Sequence, residues 1–372
     1  MRNFAILGAK AAGALGPCDV CQTVSLDDVT VHCGIVHTSD PQFLPDSPEH
    51  EHSVLIQVKA FSLNYRDKVF IFKMTRKGPD TGFFVVGSDF AGQVLAVGRA
   101  VTTIQPGDRV MNDNSYPETR FPNLKPGVAT NNGSKEYLIL HEGKVAKMPD
   151  NMTYAVGGAF SIGGQTSYSM VRRLEIQEGM NVLVTSAKSN TSLFAIAALR
   201  SRGANVYASS TSNRFEAELK SFGVKELCVV DTRTQRFTAH PVLMEIAQQG
   251  GFHRVIDPYW DLHLSPALEV MAMGGRYITC GLYDQYLDLI GKDTPGAGKT
   301  GSELPLMMLR NLQLMGNCIG LSSDLEAAAR DYAEGKFKVV IDSTFSNRRV
   351  GAFLDRTYAA PERLGKVVYE YE

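Results

Sequence analysis

The segment Asn181 to Gly203, NVLVTSAKSNTSLFAIAALRSRG, constrains this chain more than any other. A short β-branched run, a polar turn and an apolar helix that starts at once make an anion site, because unpaired N–H groups and the helix dipole face whatever negative group sits there. Strand and helix patterns then alternate: NVYASS, RFEAELKSFG, ELCVVD, LMEIAQQGG, HRVIDP, LSPALEVMAMGG and RYITCGL. Such alternation predicts βαβ units and a doubly wound parallel sheet. Gly203, Gly223, Gly250 and Gly274 stand where left-handed helix C-caps are expected.

The turn itself departs from the usual dinucleotide fingerprint, which wants glycine at its first, fourth and seventh positions. Counted from Ser186, those positions hold Ser186, Ser189 and Ser192, with Lys188 and Asn190 between them. Two readings stay open. Either the serines keep a phosphate loop and add hydroxyl donors, or the cofactor site has decayed and the serines cap the helix. About 20 residues on, NAD-type domains place an acid on the adenosine ribose. NVYASS ends with no acid, and Ser209, Ser210, Thr211, Ser212 and Arg214 follow, a set suited to a 2′-phosphate and so to NADP(H). Gly281, within RYITCGL, joins the expected cofactor contacts.

Ahead of this half, Ser53 to about Pro149 is β-rich, with VLIQVKAFSL, VVGSDFAGQVLAVG, GDRVMN and KEYLILHEGKVAKMP separated by turn residues. Asn112 to Gly133 has no periodicity and is expected to be a long surface loop. MRNFAILGAKAAGALG reads as a first strand and loop, since Lys10 interrupts it before a secretory core accumulates. After a polar loop at Asp284 to Glu303, the tail LEAAARDYAEGKFKVVIDSTF and LGKVVYEYE returns to one helix and short strands.

A chain of 372 residues exceeds the size of a single core, so two domains are expected. Its formal charge of −1 leaves no electrostatic source for sequence-independent nucleic-acid binding or a basic membrane-surface helix, and a small-molecule partner is the expectation. Six scattered cysteines make no disulfide framework and suit a reducing cytoplasm. Cys18 and Cys21 form a CxxC without a second pair, which reads as buried thiols in a loop rather than metal or redox chemistry, as does Cys33 beside His32. His141, His253 and His263 belong to no motif and read as surface or internally satisfied histidines.

Three segments, SLNYRD (Ser62 to Asp67), GSDFAGQVLAVGRAVTTIQPGDRV (Gly87 to Val110) and GGQTSY (Gly163 to Tyr168), resemble the medium-chain dehydrogenase/reductase superfamily, in its zinc-free quinone oxidoreductase and enoyl reductase branches. The resemblance covers roughly Ser53 to Glu372; the first 50 residues are longer than usual. It implies an α/β fold: a GroES-like β domain over 1–150, completed by 322–372, and a Rossmann doubly wound parallel-sheet domain over 151–321, with the active site in the cleft between them and a homodimer through the Rossmann sheet edge.

The positions that match the zinc ligands hold Asn64, Ser88 with Asp89, and Ile162, and the four-cysteine structural lobe has no counterpart, so no metal is expected. By resemblance, Asn64 and Tyr65 line the substrate side of the nicotinamide, and Thr166 contacts its carboxamide. Enoyl-thioester reductases of this type carry a tyrosine some eleven residues after the Asn as proton source; here Thr75 stands nearby, and protonation falls to Tyr65, another residue or water. Arg66, Lys68, Lys73, Arg76 and Lys77 either attract an acidic substrate such as a coenzyme A or carrier-bound thioester, or form a solvated rim. The expected activity is NADP(H)-dependent reduction of an activated C=C bond or a quinone without zinc. The alternative is a cofactor-free binding or scaffold protein, or one recruited to a non-redox step.

Overall fold

The structure is a computed structural model that describes residues 1–11, 18–77, 81–231, 236–283, 300–360 and 362–372. Most of the loop expected from Asp284, and the side chains of Cys18 and Lys77, lie outside the described residues. The chain divides into two compact units, Met1–Ile162 with Val339–Glu372, and Gly163–Lys338. No helix among the described residues is long and apolar enough to cross a membrane.

The first unit opens with β1 (Arg2–Leu7), β2 (Cys18–Leu26), β3 (Val29–His37) and β4 (Ser53–Ser62), followed by helix α1 (Tyr65–Lys77), then β5 (Phe83–Val85), β6 (Asp89–Val97), β7 (Arg109–Asn112), β8 (Tyr137–His141) and β9 (Val145–Lys147). A short helix α2 (Tyr154–Gly157) leads into α3 (Ser161–Arg173). The extra amino-terminal residues build most of a four-stranded sheet, β2-β3-β1-β5. In β4, SVLIQVKAFS alternates buried and half-buried residues along its first eight positions, as a strand with one face on the core must. Gly92 sits where β6 crosses β4: a Cβ there would stand 2.3 Å from the Gln57 carbonyl oxygen, so the motif's glycine is required by backbone approach. The expected surface loop from Asn112 begins inside the protein, since Asn112 and Asn114 are fully buried. Asn112 is held by Phe90 N at 2.9 Å and by the Ser88 carbonyl at 2.9 Å.

The second unit is the alternating half. It runs β10 (Asn181–Val184), α4 (Asn190–Arg200), β11 (Asn205–Ser210), α5 (Glu216–Ser221), β12 (Val224–Val229), α6 (Pro241–Gln248), β13 (Phe252–Asp257), α7 (Trp260–Val270), β14 (Met271–Thr279), α8 (Thr300–Arg310), β15 (Gln313–Gly316) and α9 (Ser322–Ala333). Every pairing in its sheet is parallel, in the order β12-β11-β10-β13-β14-β15, the doubly wound Rossmann arrangement. The order reverses between β10 and β13, so the turn after β10 lies at the switch point where ligands bind such sheets. Val182, Leu183 and Val184 are fully buried, as a central strand covered on both faces requires. One element differs from the sequence pattern. Helix α7 stops at Val270, and Met271 to Met273, expected in the helix, start β14; Gly274, with φ +69°, lies inside that strand and caps nothing.

The chain then returns to the first unit with β16 (Ile341–Ser346), helix α10 (Val350–Tyr358) and β17 (Lys366–Glu370). These strands complete a seven-stranded sheet, β16-β17-β4-β6-β7-β9, with β8 on β4. The helix between them went unanticipated. Its Phe353 packs edge-on against Phe4 at 5.4 Å and Phe61 at 5.5 Å, in a core that also takes Tyr369. Such ring pairs add about 0.5–1.5 kcal/mol each beyond burial, so α10 and β17 anchor β1 and β4.

Candidate cofactor and substrate sites

The expected cofactor residues gather in the parallel-sheet unit. Ser186 adopts φ +50°, the left-handed conformation for which the fingerprint normally needs glycine. The turn closes through Ser189 N to the Ser186 carbonyl at 2.9 Å, and Ala187 N reaches across to the Ser209 carbonyl at 2.9 Å. Ser189 is the N-cap of α4, its hydroxyl oxygen accepting from Ser192 N at 3.1 Å. Ser189 Oγ donates to Ser192 Oγ at 2.9 Å, and Ser192 Oγ, fully buried, donates to the Thr185 carbonyl at 2.8 Å. The serine at the seventh position therefore joins helix to strand by a hydrogen bond, where glycine would do so by close packing. The hydroxyls of Ser189 and Ser192 serve the turn itself, and what faces outward from this helix end is backbone N–H and the dipole.

The residues after β11 stand beside the turn. Lys188 Nζ lies 3.4 Å from Ser212 Oγ, and Ser212 N from Ser210 Oγ by 3.3 Å. Burial, and then the nearby Arg214 guanidinium, pull the Lys188 pKa down. Lys188 thus stands at a serine-lined strand end, with a second cation, Arg214, near it. Thr166 is buried on α3, which lies against the first turn of α4: Ser167 Oγ donates to the Thr191 carbonyl at 2.7 Å, and a Cβ on Gly163 would meet Asn190 Nδ2 at 2.6 Å. Gly281 follows β14, where its carbonyl accepts from Trp260 N at 3.2 Å and from Thr279 Oγ1 at 3.3 Å; among the described residues its hydrogen bonds go to these and not to the turn.

Beneath the turn is a buried carboxylate that the sequence did not single out. Asp257, at the end of β13, accepts from Thr185 Oγ1 at 2.7 Å, Tyr259 N at 2.8 Å, His263 Nδ1 at 2.9 Å and the Tyr277 hydroxyl. Burial would push its pKa up, but His263, Thr185 and Tyr277 together hold it below the usual carboxylate value. His263 is thus an internally satisfied histidine. His253 accepts from Asn181 N at 3.0 Å, and His141 accepts from Gly143 N at 3.0 Å.

In the first unit, the residues at the zinc-ligand positions converge on one another. Asn64 Nδ2 donates to Ser88 Oγ at 3.0 Å and to Asp89 Oδ2 at 2.8 Å. Asp89 Oδ1 accepts from Ile162 N at 2.9 Å and Asn112 Nδ2 at 3.2 Å. Asp67 accepts from Asn64 N and from Ser88 Oγ, both at 2.7 Å, and burial raises its pKa. Two members come from the far carboxyl terminus. Lys366 Nζ donates to Asn64 Oδ1 and stands 3.6 Å from Asp89 Oδ2, and the Tyr358 hydroxyl donates to the Asn64 carbonyl at 3.0 Å. Neither was visible beforehand, because a lone lysine heading KVVYE reads as a strand-end charge.

Tyr65 opens α1, half-exposed, with the Lys68 ammonium 5.6 Å from its ring centroid. Thr75 Oγ1 is buried and has no hydrogen-bond partner. The basic cluster is largely matched by acids: Lys68 pairs with Asp27 at 2.9 Å, Arg76 with Asp28 at 3.6 Å and Arg66 with Asp67 at 3.4 Å. Asp27 and Asp28 lie at the tip of the β2–β3 hairpin, so the long amino terminus supplies two of these three counter-charges. The thiols are not in a loop: Cys21 is exposed on β2 and Cys33 buried on β3, and among the described residues no group of three or more His, Cys, Asp or Glu side chains is arranged to hold a metal ion.

Comparison with known proteins agrees with both halves. An alcohol dehydrogenase GroES-like domain profile matches residues 50–150, and a zinc-binding dehydrogenase profile matches 222–368. Acryloyl-coenzyme A reductase of Metallosphaera sedula is 25% identical over 307 residues, covering 78% of this chain and 84% of that protein. A mycocerosic acid synthase-like polyketide synthase of Mycobacterium tuberculosis is 26% identical over 335 residues, 87% of this chain but 14% of the synthase. The pikromycin polyketide synthase component PikAII of Streptomyces venezuelae is 25% identical over 301 residues, 80% of this chain and 7% of that protein, so the chain spans a small part of these synthases. Among solved structures, an NAD-dependent alcohol dehydrogenase superposes with a TM-score of 0.75 at 22% identity, covering 100% of this chain and 99% of that one. The quinone oxidoreductase from Coxiella burnetii gives 0.69 at 18% identity, with both chains fully covered.

Proposed function

Since the chain belongs to the medium-chain dehydrogenase/reductase superfamily of oxidoreductases, we propose that it is an NADP(H)-dependent, zinc-free reductase of an activated C=C bond, in an enone or enoyl thioester, or of a quinone. The observation that carries the cofactor choice is Lys188 at 3.4 Å from Ser212 Oγ with the Arg214 guanidinium near that lysine, at a strand end that carries Ser209 and Ser210 and no acid. Two cations beside hydroxyls suit a dianionic 2′-phosphate, whereas an NAD ribose calls for a carboxylate acceptor. The turn fits a pyrophosphate in shape, because Ser186 holds the left-handed conformation and Ser189 and Ser192 brace the helix start. NADPH, when bound, supplies the hydride. The protein supplies the anion site at Ser186 to Ser192, and Thr166 and Gly281 are proposed to line the nicotinamide half.

Zinc does not fit the cluster at Asn64. Ile162 offers only a backbone N–H, which it spends on Asp89, and the Lys366 ammonium lies against both Asn64 and Asp89. The Asn64 amide donates both its hydrogens and accepts from Lys366, so what it can still offer a substrate is a second acceptor lone pair. The proton for a C=C reduction then comes from Tyr65, another residue or water, since the Thr75 hydroxyl is buried. A quinone needs no dedicated acid. Because acids match most of the basic cluster, a coenzyme A or carrier-bound thioester would have to be recognised chiefly by its acyl end.

A homodimer is also proposed, through the β15 edge. Leu304, Met308 and Leu309 on α8, the helix that leads into β15, are 59%, 73% and 69% exposed, and β15 is the last strand of its sheet among the described residues, an edge of the kind a second copy covers. One observation favours the cofactor-free reading, namely that the serine hydroxyls are consumed within the turn. A thermal-shift titration with NADPH, with NADH in parallel, decides between the readings, and no shift with either at millimolar concentration would remove the reductase.

A further inference from the structure

Lys366 is buried where its strand gives no reason to bury it. It begins β17, is 4% exposed, and its ammonium sits among Asn64, Asp67 and Asp89, residues some 300 positions earlier in the chain. Withdrawing an ammonium and carboxylates from water is costly, and mutual attraction offsets that cost only where the hydrogen bonding is complete. Here it is nearly so. Asp89 takes donors from Asn64, Ile162 and Asn112, and Asp67 takes them from Asn64 N and Ser88.

The consequence falls on Asn64. A carboxamide can turn its oxygen and nitrogen about, and only its partners choose between the two orientations. Lys366 is a donor without acceptor capacity and Asp89 an acceptor, so together they force Oδ1 toward the ammonium and Nδ2 toward the carboxylate. Remove the ammonium and the choice is lost.

We propose that Lys366 is a positioning residue of this site: an internal cation that locks the Asn64 amide and the Asp89 carboxylate into one arrangement, a task that would otherwise call for a bound metal ion. The proposal rests on the reductase reading above. Its test uses the full chain as wild type, Lys366→Met, Asp89→Asn, the double variant and Lys366→Arg. Urea unfolding reads the ion pair without reference to activity. Each neutralising single variant leaves one member of the Lys366–Asp89 pair buried without the other, whereas the double variant removes both, so the double variant is expected to lower the folding constant by at least about tenfold less than the product of the singles. Additive effects overturn the proposal.

Steady-state kinetics with NADPH and methyl vinyl ketone or a short-chain quinone read the positioning. In Lys366→Met, or in the double variant should the single fail to fold, kcat is expected to fall about tenfold or more while NADPH affinity stays within about twofold, with Lys366→Arg recovering most of the loss. A purely structural lysine would lower stability and leave kcat of the folded fraction alone, and that result overturns the positioning role by itself. A wild type that reduces neither acceptor overturns the reductase reading, and the positioning role with it.

Discussion

The serine turn and the Asn64 cluster are both polar sites at the start of a helix, and they are built in opposite ways. The turn is local, neutral in its inner bonds and made by backbone: Ser186 to Ser192 shape themselves, and only Lys188 and Arg214 add charge. The cluster is non-local and charged, with Asn64, Ser88, Asp89 and Lys366 drawn from three strands or loops far apart in the chain. A backbone site tolerates loss of its signature residues as long as the conformation survives. A side-chain site depends on each partner, because any one removed leaves a buried charge or amide unsatisfied.

That contrast orders the expected effects of mutation. The largest belongs to Asp89→Ala, which takes a carboxylate counter-charge from Lys366, leaves the Ile162 N–H without its acceptor and removes one partner from each of two amides; we expect a loss of about 3–5 kcal/mol in urea unfolding. An effect below 1 kcal/mol would mean the cluster is wetter and looser than described. Asp257→Asn comes next, at about 2–3 kcal/mol at neutral pH, since a charged acceptor of four hydrogen bonds becomes a neutral one. The pH dependence has a definite sign. A carboxyl whose folded pKa is depressed contributes stability above its unfolded value of about 3.9 and loses it as the pH falls through the folded value, so wild type should weaken in acid below about pH 4 and Asp257→Asn should lack that part of the slope.

The two serines at either end of the turn separate backbone from side chain within one site. Ser192→Ala removes a buried hydrogen bond to the Thr185 carbonyl and a partner of Ser189, and should cost about 1–2 kcal/mol by thermal melting. Ser186→Gly is the smallest change. Relief of a left-handed serine, about 1 kcal/mol, is partly cancelled by the greater freedom of glycine in the unfolded chain, so stability should hold or rise slightly and nucleotide affinity should not fall. A marked loss of stability would show that the Ser186 side chain, and not only its φ, shapes the turn.

The same contrast explains what could be read before the structure was known. The parallel sheet and its turn were legible because strand, turn and helix are written in consecutive residues, and the GSDFAG string was legible because a glycine at position 92 answers to backbone contact with Gln57. What the serine hydroxyls do was left open, since a Ser at a helix start serves a phosphate or a cap equally well by type. Lys366, Tyr358 and Asp257 were missed because their partners lie far away in sequence, and each alone looks like an ordinary strand-end or helix-end polar residue. The early end of α7 escaped for another reason: MAM fits a buried helix or a buried strand, and sheet pairing beside β13 chose the strand.

The central claim is that a glycine-free turn still holds a nicotinamide cofactor and prefers its 2′-phosphate. Isothermal titration of the full chain with NADPH and with NADH tests it most directly, paired with a double variant, Lys188→Ala with Arg214→Ala. We expect NADPH to bind at least about tenfold more tightly than NADH, a difference of 1.4 kcal/mol, and the double variant to erase the preference while still binding NADH. Equal affinities in the wild type would contradict the NADP(H) assignment, and heat from neither nucleotide would contradict the account of the turn itself.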